Sequence, residues 1–198
     1  MPPVLQIKSG FLVSTGECRA LYRHCLAPRG PHTDAGVEAA FLQMFKGWEN
    51  LLEECTLAFL CQRLRCDGRS VPSYSTSVSE QFARKALLQD RPFIEWTDVD
   101  RNIKRWESLF QPPSLLEGAL RPAKPELGQM ATIRNAIAHS SQISEVRFRV
   151  LVQGEFGGIR RFKRPAELLS SAWVKDPTRT YFDRYADVLE TITPLLTG

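Results

Sequence analysis

Arg134-Asn135-Ala136-Ile137-Ala138-His139 places a guanidinium, a carboxamide and an imidazole within six residues of a chain that has three histidines in all. Arginine stays charged, and its planar fork takes two phosphate oxygens. Imidazole gives or accepts a proton with a reference pKa of about 6.5. These are the tools of RNA cleavage without a metal ion. The substrate's own 2′-hydroxyl attacks phosphorus, one group takes its proton, another protonates the leaving 5′-oxygen, and positive charge steadies the phosphorane. Acid–base help of this kind accelerates a reaction by roughly 10²–10⁴. Asn135 and His139 are four residues apart and share a helix face, with Arg134 beside it. Asn135 either orients the imidazole or donates to a phosphate oxygen. One imidazole does not readily perform both proton transfers, so the chemistry favours a two-fold dimer that brings two copies of the motif together. The plainer reading is a histidine that favours a helix C-terminus electrostatically, with Arg134 solvated beside it.

The motif needs a helix to hold it. Pro125 suits a first helical turn and Glu126 its positive end. Leu127, Met130, Ile133 and Ile137 continue the pattern to a stop near Ser140-Ser141. Upstream, Val37, Phe41, Met44, Phe45, Trp48, Leu51, Leu52, Cys55, Phe59 and Leu60 recur at steps of three and four, predicting a long helix from about Thr33 to Arg65. Thr33 or Asp34 caps it, and Asp67-Gly68 ends it. Ser77 to Glu80 has capping-box spacing and opens a helix to about Gln89. Thr97-Asp98 caps another through Ile103, Trp106, Leu109 and Phe110, stopped by Pro112-Pro113. Ser114 to Glu117 fits a further short helical turn. Val4 to Val13 reads as a strand or extended arm, and Glu17 to Leu26 as a short helix.

Val146, Phe148 and Val150 alternate with Arg147, Arg149 and Leu151, and glycines follow at 154, 157 and 158. This pattern predicts a β-hairpin over about 145–163. Arg147, Arg149, Arg160, Arg161, Lys163 and Arg164 face Glu155 alone, a net +5 within a chain whose total is +4. Such a cluster is either a solvated face or an arm that tracks an RNA backbone, with Phe148, Phe156 or Phe162 to stack on bases. Pro165 to Trp173 and Pro177 to Leu196 read as closing helices. The expected fold is mainly all-α, a helical bundle with a small β-hairpin appendage near the C-terminal third. It forms a single domain over 1–198, with a helical core over about 33–142 and the basic hairpin and closing helices over about 143–198.

The hexapeptide, late in a chain of this helix order, resembles the R-x-x-x-x-H signature of HEPN domains, where Asn often follows the Arg. Phe41 to Glu54, with its Trp48-Glu49 pair, resembles the first long helix of such proteins, especially the RiboL-PSP-HEPN-like prokaryotic defence and toxin ribonucleases. Arg105 to Phe110 fits their middle helix. The resemblance covers about residues 35–142. It implies a metal-independent endoribonuclease that leaves a 2′,3′-cyclic phosphate, with its active site formed across a homodimer. Arg134 and His139 would be catalytic, Asn135 supporting, and Glu49 a polar partner within the bundle. It also implies a toxin or anti-phage effector, with an antitoxin or a larger defence complex as further partners. Some members have lost catalysis and bind only a nucleotide or a partner protein.

Composition is that of an ordinary globular chain, 43% hydrophobic and 24% charged. The mild positive charge permits a polyanionic partner without requiring one. Five cysteines, with no C-x-x-C pair, suggest neither a disulfide framework nor a zinc site, and point to a reducing, cytoplasmic setting. His24 and His32 lack metal-ligand spacing, so no metal and no cofactor are expected. No signal-peptide pattern opens the chain, and no apolar run reaches membrane-span length. P-loop, dinucleotide-binding, zinc-protease and nucleophile-elbow motifs do not occur.

Overall fold

The computed structural model of the chain describes residues 2–27, 30, 32–74, 79–88, 94–113, 115–139, 141–157 and 162–198. These form helices α1 (Val4–Leu26), α2 (Thr33–Leu60), α3 (Glu80–Leu88), α4 (Val99–Leu109), α5 (Leu115–Leu120), α6 (Lys124–Ala138), α7 (Gln142–Glu155), α8 (Pro165–Leu169) and α9 (Tyr181–Thr197). One antiparallel hairpin pairs β1 (Ala172–Trp173) with β2 (Asp176–Thr180). The mainly helical fold with a small hairpin near the C-terminus is therefore as the sequence predicts, although the hairpin lies at a different place. The capping residues Ser77 and Ser114 fall outside the described residues, as do Arg160 and Arg161.

The chain divides into two compact units. The first holds 1–13, 47–124 and 190–198; the second holds 14–46 and 125–189.

In the first unit, Trp106 of α4 is buried, edge-on to Phe59 at 5.9 Å and tilted against Phe110 at 4.8 Å. Its Nε1–H donates to Thr56 Oγ1 at 2.8 Å, and that hydroxyl donates to the Leu52 carbonyl at 2.6 Å. No buried polar group on this path lacks a partner, as low-dielectric packing requires. Asp98 caps α4 by accepting from the Arg101 N–H at 3.0 Å, the predicted start. Ser79 accepts from the Phe82 N–H at 3.3 Å at the head of α3. The helix α2 stops at Leu60, short of Asp67-Gly68, because Gln62 enters the left-handed region at φ 57 and the Arg63 N–H reaches back to the Ala58 carbonyl at 2.9 Å. Glutamine does not announce that conformation in a sequence.

In the second unit, Tyr22 of α1 stacks on Phe182 of α9 at 4.1 Å, and Phe41 of α2 meets Tyr185 at 6.2 Å. Arg19 binds Asp183 at 3.1 Å and Asp187 at 2.6 Å, fastening α1 to α9. Gly36 permits the close approach of α1 and α2, since a Cβ there would overlap Cys25 Sγ.

Besides the end of α2, four sequence expectations are corrected. The segment 4–13 is neither strand nor arm but the first half of α1. Val4, Ile7, Phe11, Thr15, Cys18 and Tyr22 are all buried at helical period, with Thr15 and Cys18 filling the places where an apolar residue was sought. The predicted hairpin over 145–163 is instead α7 through Glu155. Ser141 caps it by accepting from the Ser144 N–H at 3.2 Å, and Phe148 and Val152 turn inward at a helical step. The closing helix predicted from Pro165 ends at Leu169, not Trp173. The last helix starts at Tyr181, not Pro177. Thr180 Oγ1 accepts from the Asp183 N–H at 3.2 Å and donates to the Asp183 carboxylate at 2.8 Å, which satisfies one free N–H of the first turn, while Pro177 sits in β2.

Candidate active site at the end of α6

Leu127, Met130 and Ile133 bury one face of α6 in the second unit, and at 100° per residue Asn135 and His139 fall on the opposite side. Arg134 starts between Leu127 and Met130 on that wheel and is half-buried. Its guanidinium curls around the helix end. Nη1 donates to Asn135 Oδ1 at 3.1 Å and lies 3.5 Å from His139 Nε2. The backbone N–H of His139 closes the last helical turn on the Asn135 carbonyl at 3.0 Å, so the imidazole stands at the C-terminal mouth, exposed. All three motif residues are thus brought together.

The pairing has a chemical consequence. The donor and acceptor roles at this contact follow the imidazole tautomer, and a ring with its lone pair on Nε2 is the form that takes a proton from a hydroxyl. Among the described residues, the polar side-chain contacts of Arg134 are to Asn135 and His139, and no carboxylate is paired with it. With Asn135 Oδ1 engaged, Nδ2 is the group left to donate to an anion. The arrangement can present one cation, one amide donor and one proton acceptor to a phosphodiester.

Glu49 belongs to the first unit, where its carboxylate accepts from Thr97 Oγ1 at 2.9 Å. One turn on, Glu53 accepts from Trp96 Nε1 at 3.3 Å and from Arg84 at 2.9 Å. The two carboxylates fix the approach to α4.

The basic segment is not a single arm. Arg147 and Arg149 lie on α7, Arg149 leaning 3.9 Å from Glu145. Arg164 pairs with Asp34 at 3.2 Å, and the Lys163 N–H donates to Glu167 at 2.7 Å. Phe148 is buried and so not available to stack on a base, while Phe156 and Phe162 pack on each other at 5.2 Å.

One polar cluster in the same unit gave no sequence signal, because its members come from three distant segments. Tyr181 donates to Glu155 at 3.0 Å, Gln129 donates to Glu155 at 2.5 Å, and Tyr185 donates to Gln129 at 3.2 Å. Burial, then the Glu155 charge, holds both phenols above their ordinary range. Arg184 bonds Glu126 at 2.6 Å and lies over the Trp173 ring at 4.8 Å. These contacts bind α6, α7, α9 and the hairpin into the rigid support that a motif at a helix end requires.

Among the described residues, no group of three or more His, Cys, Asp or Glu is placed to hold a metal ion. No helix among them is long and apolar enough to cross a membrane. The first unit carries an open groove of about 790 Å³ bordered by Tyr74, Phe110, Pro112, Pro113 and Pro122, and no motif residue lines it.

Comparison with protein-family models, curated proteins and solved structures found no match to this chain.

Proposed function

We propose that the chain is a HEPN-like, metal-independent endoribonuclease whose catalytic residues are Arg134 and His139, supported by Asn135. The observation that carries this reading is the convergence of the Arg134 guanidinium on Asn135 and on Nε2 of His139. His139 Nε2 takes the proton of the substrate's 2′-hydroxyl. The 2′-oxygen bonds to phosphorus, and the bond from phosphorus to the 5′-oxygen breaks. The products are a 2′,3′-cyclic phosphate and a 5′-hydroxyl. Arg134 and the Asn135 amide balance the charge that builds on the phosphorane oxygens. The second proton transfer, to the leaving oxygen, falls to His139 of a second copy in a homodimer, since one imidazole occupied as base is not at once an acid. In this reading the protein works in the cytoplasm as a toxin or anti-phage effector, held in check by an antitoxin or a larger complex.

Cleavage of a mixed RNA in the presence of EDTA tests the proposal. Wild-type protein should cleave, and Arg134→Ala should lose roughly 10²–10³ in rate, the usual cost of removing one donor to a developing oxyanion. Arg134→Lys should recover only part of it, because an ammonium cannot form the two-pronged contact. Equal rates for wild type and Arg134→Ala would rule the assignment out.

A further inference from the structure

The helix α7 is apolar on two opposite sides. Phe148 and Val152 are buried, whereas Ile143, Val146 and Val150 stand 67%, 43% and 61% exposed. A helix that is apolar on both sides is ordinarily covered on both. The outer residues fall at steps of three and four, the spacing of a seam that receives another helix rather than an extended chain. With Ile143 and Val150 at the first core position and Val146 at the second, Arg147 and Arg149 occupy the two flanking positions that choose a partner in paired helices. Arg147 is exposed, and among the described residues the ion pair of Arg149 is the loose 3.9 Å approach to Glu145.

We propose that the outer face of α7 seats an acidic amphipathic helix of a partner protein. The apolar seam takes its leucine-like side chains, and glutamates on its flanks meet Arg147 and Arg149. A second copy of α7 does not suit this seat. In an antiparallel pair each flanking arginine faces its own copy, and in a parallel pair Arg149 faces Arg147, so either arrangement sets like charges together. The homodimer of the proposed ribonuclease therefore uses another face. RNA also fits poorly, because a phosphate backbone gains nothing from three exposed aliphatic side chains between the cations. The inference does not depend on whether Arg134 and His139 cleave RNA.

Fluorescence anisotropy on the full chain tests it with two labelled synthetic helices. Both carry leucine at the seam positions; one has glutamate on both flanks and the other lysine. The glutamate peptide should bind at least about tenfold more tightly, a difference of about 1.4 kcal/mol. Val150→Glu, at an exposed position and with its fold checked by circular dichroism, should weaken it by about tenfold or more. Arg147→Glu with Arg149→Glu should reverse the preference towards the lysine peptide. Equal affinity for both peptides, or no response to Val150→Glu, overturns the proposal. So does a dimer that Val150→Glu converts to monomer in sedimentation, which would make the second copy the occupant. Single-stranded RNA binding that needs Arg147 and Arg149 but ignores Val150→Glu, with neither peptide bound, would assign the face to nucleic acid instead.

Discussion

His139→Ala is expected to lower RNA cleavage by roughly 10²–10⁴, the contribution of a positioned acid–base group. The same substitution should move the urea midpoint hardly at all. His139 is exposed at the end of α6, and its polar side-chain contact is the 3.5 Å approach of Arg134. Exposed substitutions of this kind change stability by about 0.5 kcal/mol or less. The split between the two readouts matters. A histidine that merely favours a helix C-terminus would alter stability slightly and cleavage not at all. His139→Gln sharpens the comparison, since glutamine keeps polarity and rough size but cannot accept the hydroxyl proton. Rates from single-turnover cleavage of a labelled RNA, with melts on the same samples, provide both numbers. An active His139→Gln protein would contradict the role of proton acceptor.

Trp106→Ala should be the most damaging single change to the fold of the first unit. The ring is buried, contacts Phe59 and Phe110, and donates its N–H to Thr56 at 2.8 Å. Truncating a buried tryptophan to alanine costs about 3–5 kcal/mol. Each aromatic pair adds about 0.5–1.5 kcal/mol beyond area alone. The Thr56 oxygen also loses its donor, although its own hydrogen still reaches Leu52. A loss at the upper end of that range is comparable with the whole stability of a typical domain, about 5–15 kcal/mol. Trp106→Phe keeps most of the packing and removes the hydrogen bond, so it should cost only about 1–2 kcal/mol. Urea denaturation followed by far-ultraviolet circular dichroism measures both. A Trp106→Ala protein within about 1 kcal/mol of wild type would show that the ring is not the centre of that core.

The helices with a start signal or an uninterrupted apolar step were legible in the sequence, although α2 begins at Thr33 itself, so Thr33 and Asp34 lie in its first turn rather than capping it. Asp98 before α4, Pro125 in the first turn of α6, and the Phe41–Trp48 stretch of α2 are such cases. Where reading failed, two local signals competed. Glycines 10 and 16 and the polar Thr15 hid the helical period of α1, which tertiary burial of Thr15 and Cys18 completes. In α7, Val146, Phe148 and Val150 alternate as a strand would, because the helix has an apolar stripe on each side and the two stripes interleave. Ser141, read as the end of one helix, in fact begins the next. The Thr180–Asp183 pair that starts α9 lies three residues past Pro177, whose own helix-start signal competes with it.

The candidate site was legible in part. Helical spacing places Asn135 and His139 together, and the structure agrees. That Arg134 reaches past Asn135 to the imidazole depends on a long side chain wrapping the helix end, which spacing alone does not specify. The cluster of Gln129, Glu155, Tyr181 and Tyr185 required the fold itself.

The most direct measurement is the chemistry of the cut ends. Wild-type protein is incubated with a mixed RNA in EDTA, beside a matched substrate whose 2′-hydroxyls are methylated, and the termini are identified by mass spectrometry. The account predicts 2′,3′-cyclic phosphate and 5′-hydroxyl ends from the RNA, none from the methylated substrate, and none from His139→Ala. Ends bearing a 3′-hydroxyl and a 5′-phosphate, or the same products from His139→Ala, would contradict it.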